Sequence, residues 1–199
     1  MLFRSRATPA LSVGLHLDLG EWAYRNGEWV PRYEVVAPND PVAIRAEIVR
    51  QLETFQRLLG RDPTHIDSHQ HVHRGELARN VVAEISARLG VPFRRASEQV
   101  RYRGEFYGQS PEGDVLDDAI TVEHLVGILR TLPDGTTELS CHPGLRRDAQ
   151  GMYVAEREQE VNVLCDPRVR ATIRAERIDL ISFRDLASGD FPTAALTVT

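Results

Sequence analysis

At 199 residues, 42% of them hydrophobic, the chain carries enough apolar material for one globular domain with its own core. A net charge of -5 without basic runs argues against a nucleic-acid partner, and no apolar stretch approaches the ~18 residues that would span a membrane. The start MLFRSRATPALSV lacks the apolar region of a secretory signal, and two distant cysteines, Cys141 and Cys165, make no disulfide framework, so a reducing, cytoplasmic setting is expected.

The pattern opens on a strand. In LSVGLHLDL, residues 11 to 19, Leu11, Val13, Leu15, Leu17 and Leu19 alternate with Ser12, Gly14, His16 and Asp18, which predicts a strand with an imidazole on its second face. Residues 20 to 38, with Trp22, Trp29 and Pro31 and no sustained period, read as a loop. Asp40 before Pro41 supplies a cap and a proline at the first helical position. Ile44, Ile48, Leu52, Phe55 and Leu59 then form an apolar stripe that Gly60 closes. THIDSHQHVH, residues 64 to 73, follows as a short strand and its exit loop. A second helix is expected over residues 76 to 89, with Leu77, Val81, Ile85 and Leu89 facing inward and Gly90 ending it. VPFRR, 91 to 95, reads as the next short strand, and 97 to 118 as a long loop of the kind that covers a site. TVEHLVGILRTL is a third helix, TELSC (137 to 141) a strand running into HPG, and a further helix follows Asp166-Pro167. IDLISF, 178 to 183, is the last expected strand. Strands alternating with helices predict an α/β protein with a parallel sheet, open or closed into a barrel, and chemistry at the C-terminal strand edge.

Four of the seven histidines lie within residues 64 to 73. On a strand, His65, Asp67, His69, His71 and His73 would share one face, which no apolar core accepts unless its groups are paired or metal-bound. Imidazole and carboxylate are also the ligands of a catalytic divalent metal that keeps an open position. With His16 and His142, six of the seven histidines fall at one expected sheet edge. His124 lies on the polar side of a helix and is expected to be solvated.

VGLHLDL, PTHIDSHQHVH, FYG, ELSCHPG and the terminal ISFRDL, in this order, resemble the YdjC-like carbohydrate deacetylases, the ChbG/HpnK family, from residue 11 onward. The resemblance implies a deacetylase-type (β/α) barrel, hydrolytic removal of acetyl groups from N-acetylated sugars such as chitooligosaccharides, and a divalent metal, magnesium first and zinc second. It implies His16 and His69 as the two imidazole ligands and places His142 in the pocket. There an imidazole suits a general acid that protonates the leaving amine, because it titrates near neutral pH. Asp67 joins the catalytic set as the acceptor that orients an imidazole through its other ring nitrogen. Arg94 and His73 are the candidates for binding sugar. His71 stays open between an orienting contact and a sugar hydroxyl, and a surface ion pair is the equal alternative for Arg94.

The chain departs from the family at its start. Members begin with a strand ending in Asn-Ala-Asp-Asp-Phe-Gly, whose aspartates supply the third ligand and the base, and nothing here matches it. The expectation is therefore a single deacetylase-like domain lacking its first β-α-β unit, which leaves the barrel incomplete and the base unassigned. Three readings stay open: a wrong translation start or fragmented gene of an ordinary deacetylase, a degenerate relative that binds sugar without cleaving it, or Asp18 or Asp67 serving as substitute ligand. A small carbohydrate is the expected partner, with no nucleic acid and no membrane, and a homodimer stays open.

Overall fold

Two leucines set the first strand. Leu15 and Leu17 turn inward and His16 outward in β1 (Leu15–Leu17), the shortest form of the expected alternation. The computed structural model describes residues 8, 10–95, 100–145, 153–187 and 194–198. The chain divides into two compact units, residues 1–97 with 183–188 and residues 98–182 with 189–199.

In the first unit β1 pairs in parallel with β4 (Ile66–Ser68), placing His16 opposite Asp67. Phe93 extends the pairing by a parallel bridge to Ile66, so VPFRR contributes one bridge rather than a strand. The intervening α1 (Pro41–Leu59) starts as read: the Asp40 carboxylate accepts from the Val42 and Ala43 amides, each at 3.0 Å. It ends where Gly60 takes φ 68°, a left-handed conformation that costs glycine little. α2 (Glu76–Leu89) buries Ala78, Val81, Val82 and Ile85. Leu77, expected inward, is 38% exposed, because the buried stripe is rotated by one residue toward Ala78 and Val82. These faces meet Leu15, Leu17, Leu19, Ile44, Ile48, Leu52 and Ile66 in one apolar cluster.

Residues 20 to 38 are not a loop. β2 (Gly20–Arg25) and β3 (Glu28–Glu34) form an antiparallel hairpin. Its turn is Asn26-Gly27, both at positive φ (52° and 88°), the pattern that two-residue hairpin turns demand. That dipeptide was the available signal. Pro31 masked it, and Pro31 is tolerable because β3 is an edge strand of a two-stranded sheet.

The second unit is built on a parallel sheet of order β5-β6-β8-β7, with β5 (Val100–Arg103), β6 (Gly135–Leu139), β7 (Asp179–Ile181) and β8 (Ala194–Val198). β5 falls inside the expected loop, and β8 was not expected. α3 (Val122–Arg130), capped by Thr121, and α5 (Pro167–Ala175), capped by Asp166, stand where read. α4 (Val154–Leu164) was missed, since its apolar residues make no single stripe and Glu160 is buried in it. α6 (Phe183–Ala187) replaces the end of the expected last strand and belongs to the first unit. Phe106, Ile120, Leu125, Ile128, Leu129, Leu139, Val163 and Val169 make the second core. His124, expected in solvent, is half-buried, and its Nε2 has no hydrogen-bond partner among the described residues. The architecture is therefore mixed α/β with parallel sheets. No helix among the described residues is long and apolar enough to cross a membrane.

Candidate functional site

In the first unit the β1–β4 register brings His16 to Asp67, and their side chains meet: His16 Nδ1 lies 2.9 Å from Asp67 Oδ1. An ionised carboxylate only accepts, so Nδ1 carries the proton and the lone pair of neutral His16 is on Nε2. The other Asp67 oxygen takes the Arg94 guanidinium at 3.2 Å. Arg94 is only 5% exposed, so this is a buried ion pair rather than the surface pair considered above. Burial pushes the Asp67 carboxyl up, but the His16 hydrogen bond and the charges of His16, Arg94 and His65 outweigh it and hold the group below its usual range.

After Ser68 the backbone leaves the strand and enters a 3₁₀ turn, His69–Arg74, with Gln70 and His71 at φ 47° and 55°. Alternation therefore ends at residue 68, and the shared face expected for His69, His71 and His73 does not form. Gln70 anchors the turn: its side-chain oxygen accepts from the Trp22 amide at 2.9 Å and its amide nitrogen donates to the Trp22 carbonyl at 2.7 Å. This clamp fastens the turn to β2, and the sequence reading passed over it. The turn sets the His69 ring 6.0 Å from the His16 ring, edge to face. Glu21 Oε2 lies 3.9 Å from His69 Nε2, beyond hydrogen-bond reach.

His73 and His65 serve the frame. His73 is 2% exposed, its Nδ1 2.6 Å from Ser68 Oγ and its Nε2 3.1 Å from the Arg94 carbonyl. A carbonyl only accepts, so Nε2 carries the proton and both nitrogens are occupied. The expected sugar contact by His73 is thus corrected: neither nitrogen remains for a hydroxyl. His65 bonds Thr64 at 3.0 Å and stacks on Phe183 with centroids 4.2 Å apart. It packs so tightly on Gly14 that a Cβ there would fall 2.2 Å from its Nε2. Burial above all holds His65 and His71 down to about 4, with Arg94 and neighbouring histidines adding to it.

Two imidazoles at 6.0 Å are close to what one ion needs, since bonds of ~2.1 Å to each would set the centroids about 5 Å apart. The rest of the donor set is less complete. Among the described residues no three His, Cys, Asp or Glu side chains gather as a metal-holding group. Asp67 is taken by His16 and Arg94, while Asp18 accepts from the Gly20 amide (3.0 Å) and the Tyr33 hydroxyl (2.7 Å). Two neutral imidazoles suit zinc better than magnesium, which prefers oxygen donors.

In the second unit β6 delivers Ser140, Cys141 and His142 beyond its C-terminal end. The His142 amide donates to Glu160 Oε2, and its carbonyl accepts from Arg157 at 3.3 Å. Its ring lies 5.1 Å from that of Tyr107 and 6.0 Å from that of Tyr153, the two tyrosines stacking at 4.6 Å. Tyr153 donates to Glu160 Oε1 at 2.7 Å and accepts from the Gly108 amide at 2.6 Å. Sequence reading found His142 but not Tyr153 or Glu160, whose helix shows no clear period.

A family model described as YdjC-like protein matches residues 2–175. A carbohydrate deacetylase of Geobacillus stearothermophilus is 29% identical over 198 residues, covering 89% of this chain and 77% of the relative. A chitooligosaccharide deacetylase of Serratia marcescens is 32% identical over 195 residues, covering 90% and 72%. Among solved structures, a candidate cellobiose-phosphate cleavage protein of Enterococcus faecalis V583 superposes with a TM-score of 0.68 over 94% of this chain and 83% of that one. At 21% identity that likeness is one of fold.

Proposed function

Because the chain belongs to the YdjC-like protein family, we propose that it is a hydrolase removing acetyl groups from N-acetylated sugars, with chitooligosaccharides as the substrate class. One observation carries the assignment to residues: His16, oriented through Nδ1 by Asp67, beside His69 at 6.0 Å. In this reading His16 and His69 are the imidazole ligands of a divalent ion, magnesium by family expectation and zinc by donor chemistry. Such an ion supplies Lewis acidity to an amide carbonyl and to water.

The chain's own groups do the rest. Asp67 keeps the His16 lone pair aimed outward, and against the effect of burial the His16 hydrogen bond, with the charges of His16 and Arg94, keeps Asp67 ionised. Arg94, 5% exposed, acts in this reading as the buried partner of Asp67 rather than as a sugar contact. His142 is the proton donor: as the acetyl C–N bond breaks, the departing sugar nitrogen takes its proton, which avoids expelling an amide anion.

Two measurements test these roles. His16→Ala and His69→Ala each lower zinc or magnesium affinity by about 10-fold or more in calorimetric titration, and unchanged affinity in either variant removes that residue as a ligand. His142→Ala slows acetate release from diacetylchitobiose by about 100-fold while metal affinity stays. Full turnover in that variant removes the acid assignment.

A further inference from the structure

We propose that Glu160 is the positioning residue for His142, setting its place through the His142 backbone amide and the Tyr153 hydroxyl. This rests on His142 as the donor to the leaving nitrogen.

Glu160 is 0% exposed, and both carboxylate oxygens are spent on these two partners. A buried carboxylate is an expensive way to fill a core, which an apolar side chain of similar size would fill without desolvation. Burial raises its carboxyl above the ordinary range, against the hydrogen bonds from Tyr153 and His142 that favour the ionised form. Arg157 lies three positions earlier on α4, hence on the same face, and holds the His142 carbonyl at 3.3 Å. One helix therefore grips the residue-142 backbone on both sides, N–H and C=O.

The same carboxylate reaches a third segment. Tyr153, which donates to Glu160, accepts from the Gly108 amide at 2.6 Å, and so ties the segment 106–108 to the strand exit at 140–142. Gly108 allows the approach, since a Cβ there would lie 3.2 Å from the Tyr153 hydroxyl and 2.9 Å from Ile120 Cδ1. The His142 ring then rests against Tyr107 and Tyr153, whose stack is fixed at the hydroxyl end by Glu160. Moving the carboxylate thus moves the backbone that carries the imidazole and one of the rings it leans on.

The test uses the full chain with Glu160→Gln and Tyr153→Phe. The His142 ring is followed by NMR of isotope-labelled histidine, assigned by its loss in His142→Ala, and acetate release from diacetylchitobiose gives kcat and KM. The expected result is that Glu160→Gln shifts the His142 ring signals, leaves those of the other six histidines in place, and lowers kcat about 10- to 100-fold with KM within about twofold. Tyr153→Phe, which spares the carboxylate, moves the same signals less; it decides the matter alone should Glu160→Gln fail to fold. Unmoved His142 signals in the folded variants overturn the proposal, and so does a shift spread over all seven histidines, which marks support of the fold only. If His142→Ala keeps full turnover, the acid reading fails by itself, while the NMR comparison still decides whether Glu160 sets the ring.

Discussion

His16 and Asp67 stand 51 positions apart in the chain yet opposite one another in the β1–β4 register. Their contact does two tasks. It fixes which His16 nitrogen bears the proton, and it closes a line of charge from imidazole to carboxylate to the buried Arg94 guanidinium. Asp67→Asn keeps the shape and removes the negative charge that faces the buried Arg94 guanidinium. The variant is expected to lose about 3 kcal/mol in urea unfolding, well beyond the loss of an exposed pair. Its metal affinity should also fall about 10-fold, since an asparagine no longer accepts from Nδ1 as a charged group. The residue identities were readable because imidazoles and carboxylates on a strand edge demand explanation. The fates of individual nitrogens were not. His73 is withdrawn from solvent by Ser68 on one side and the Arg94 carbonyl on the other, and neither neighbour is implied by spacing alone.

Between residue and molecule stands the 69–74 turn. It has two consecutive non-glycine residues in the left-handed region, a conformation that persists only when surroundings hold it. Gln70 is that hold, with hydrogen bonds to both backbone groups, N–H and C=O, of Trp22 in β2. Gln70→Ala should cost about 1–2 kcal/mol and speed amide exchange at Trp22, and it should weaken metal affinity without touching either proposed ligand. Exchange at Trp22 unchanged from the parent would show that the clamp contributes nothing. The hairpin it grips could have been read from Asn26-Gly27, whereas α4 could not: its buried Glu160 and scattered valines break the helical period that marks α1, α2 and α3.

For the molecule as a whole, two half-buried histidines set the acid limb of stability. His65 and His71 are held near 4 in the folded state, against 6.5 for an unhindered imidazole. Below 6.5 the unfolded chain takes up protons that the folded chain refuses, so stability falls as pH drops from 6.5 to about 4. Each group contributes on the order of 2 kcal/mol to that decline. Asp67, depressed instead, adds its loss only below the ordinary carboxylate value of 3.8, as pH passes through its folded value. Urea midpoints at pH 7, 5.5 and 4 read the slope directly, and a flat profile over that range would show that these rings reach solvent.

Short-range chemistry accounts for what the amino-acid order specifies without help. The Asp40 and Asp166 caps, the Gly60 and Gly90 stops, the stripe Ile44-Ile48-Leu52 and the Leu15-Leu17 alternation all act within a few residues, so they survive in the linear text. The placement of β8 between β6 and β7, the meeting of His16 with Asp67 and the burial of Glu160 beneath His142 do not. Parallel strands join through long crossovers, and their neighbours are chosen by packing of distant segments rather than by any local period. The candidate residues stand in the linear text, while their partners, protonation and exposure come from contacts between segments that the order alone does not pair.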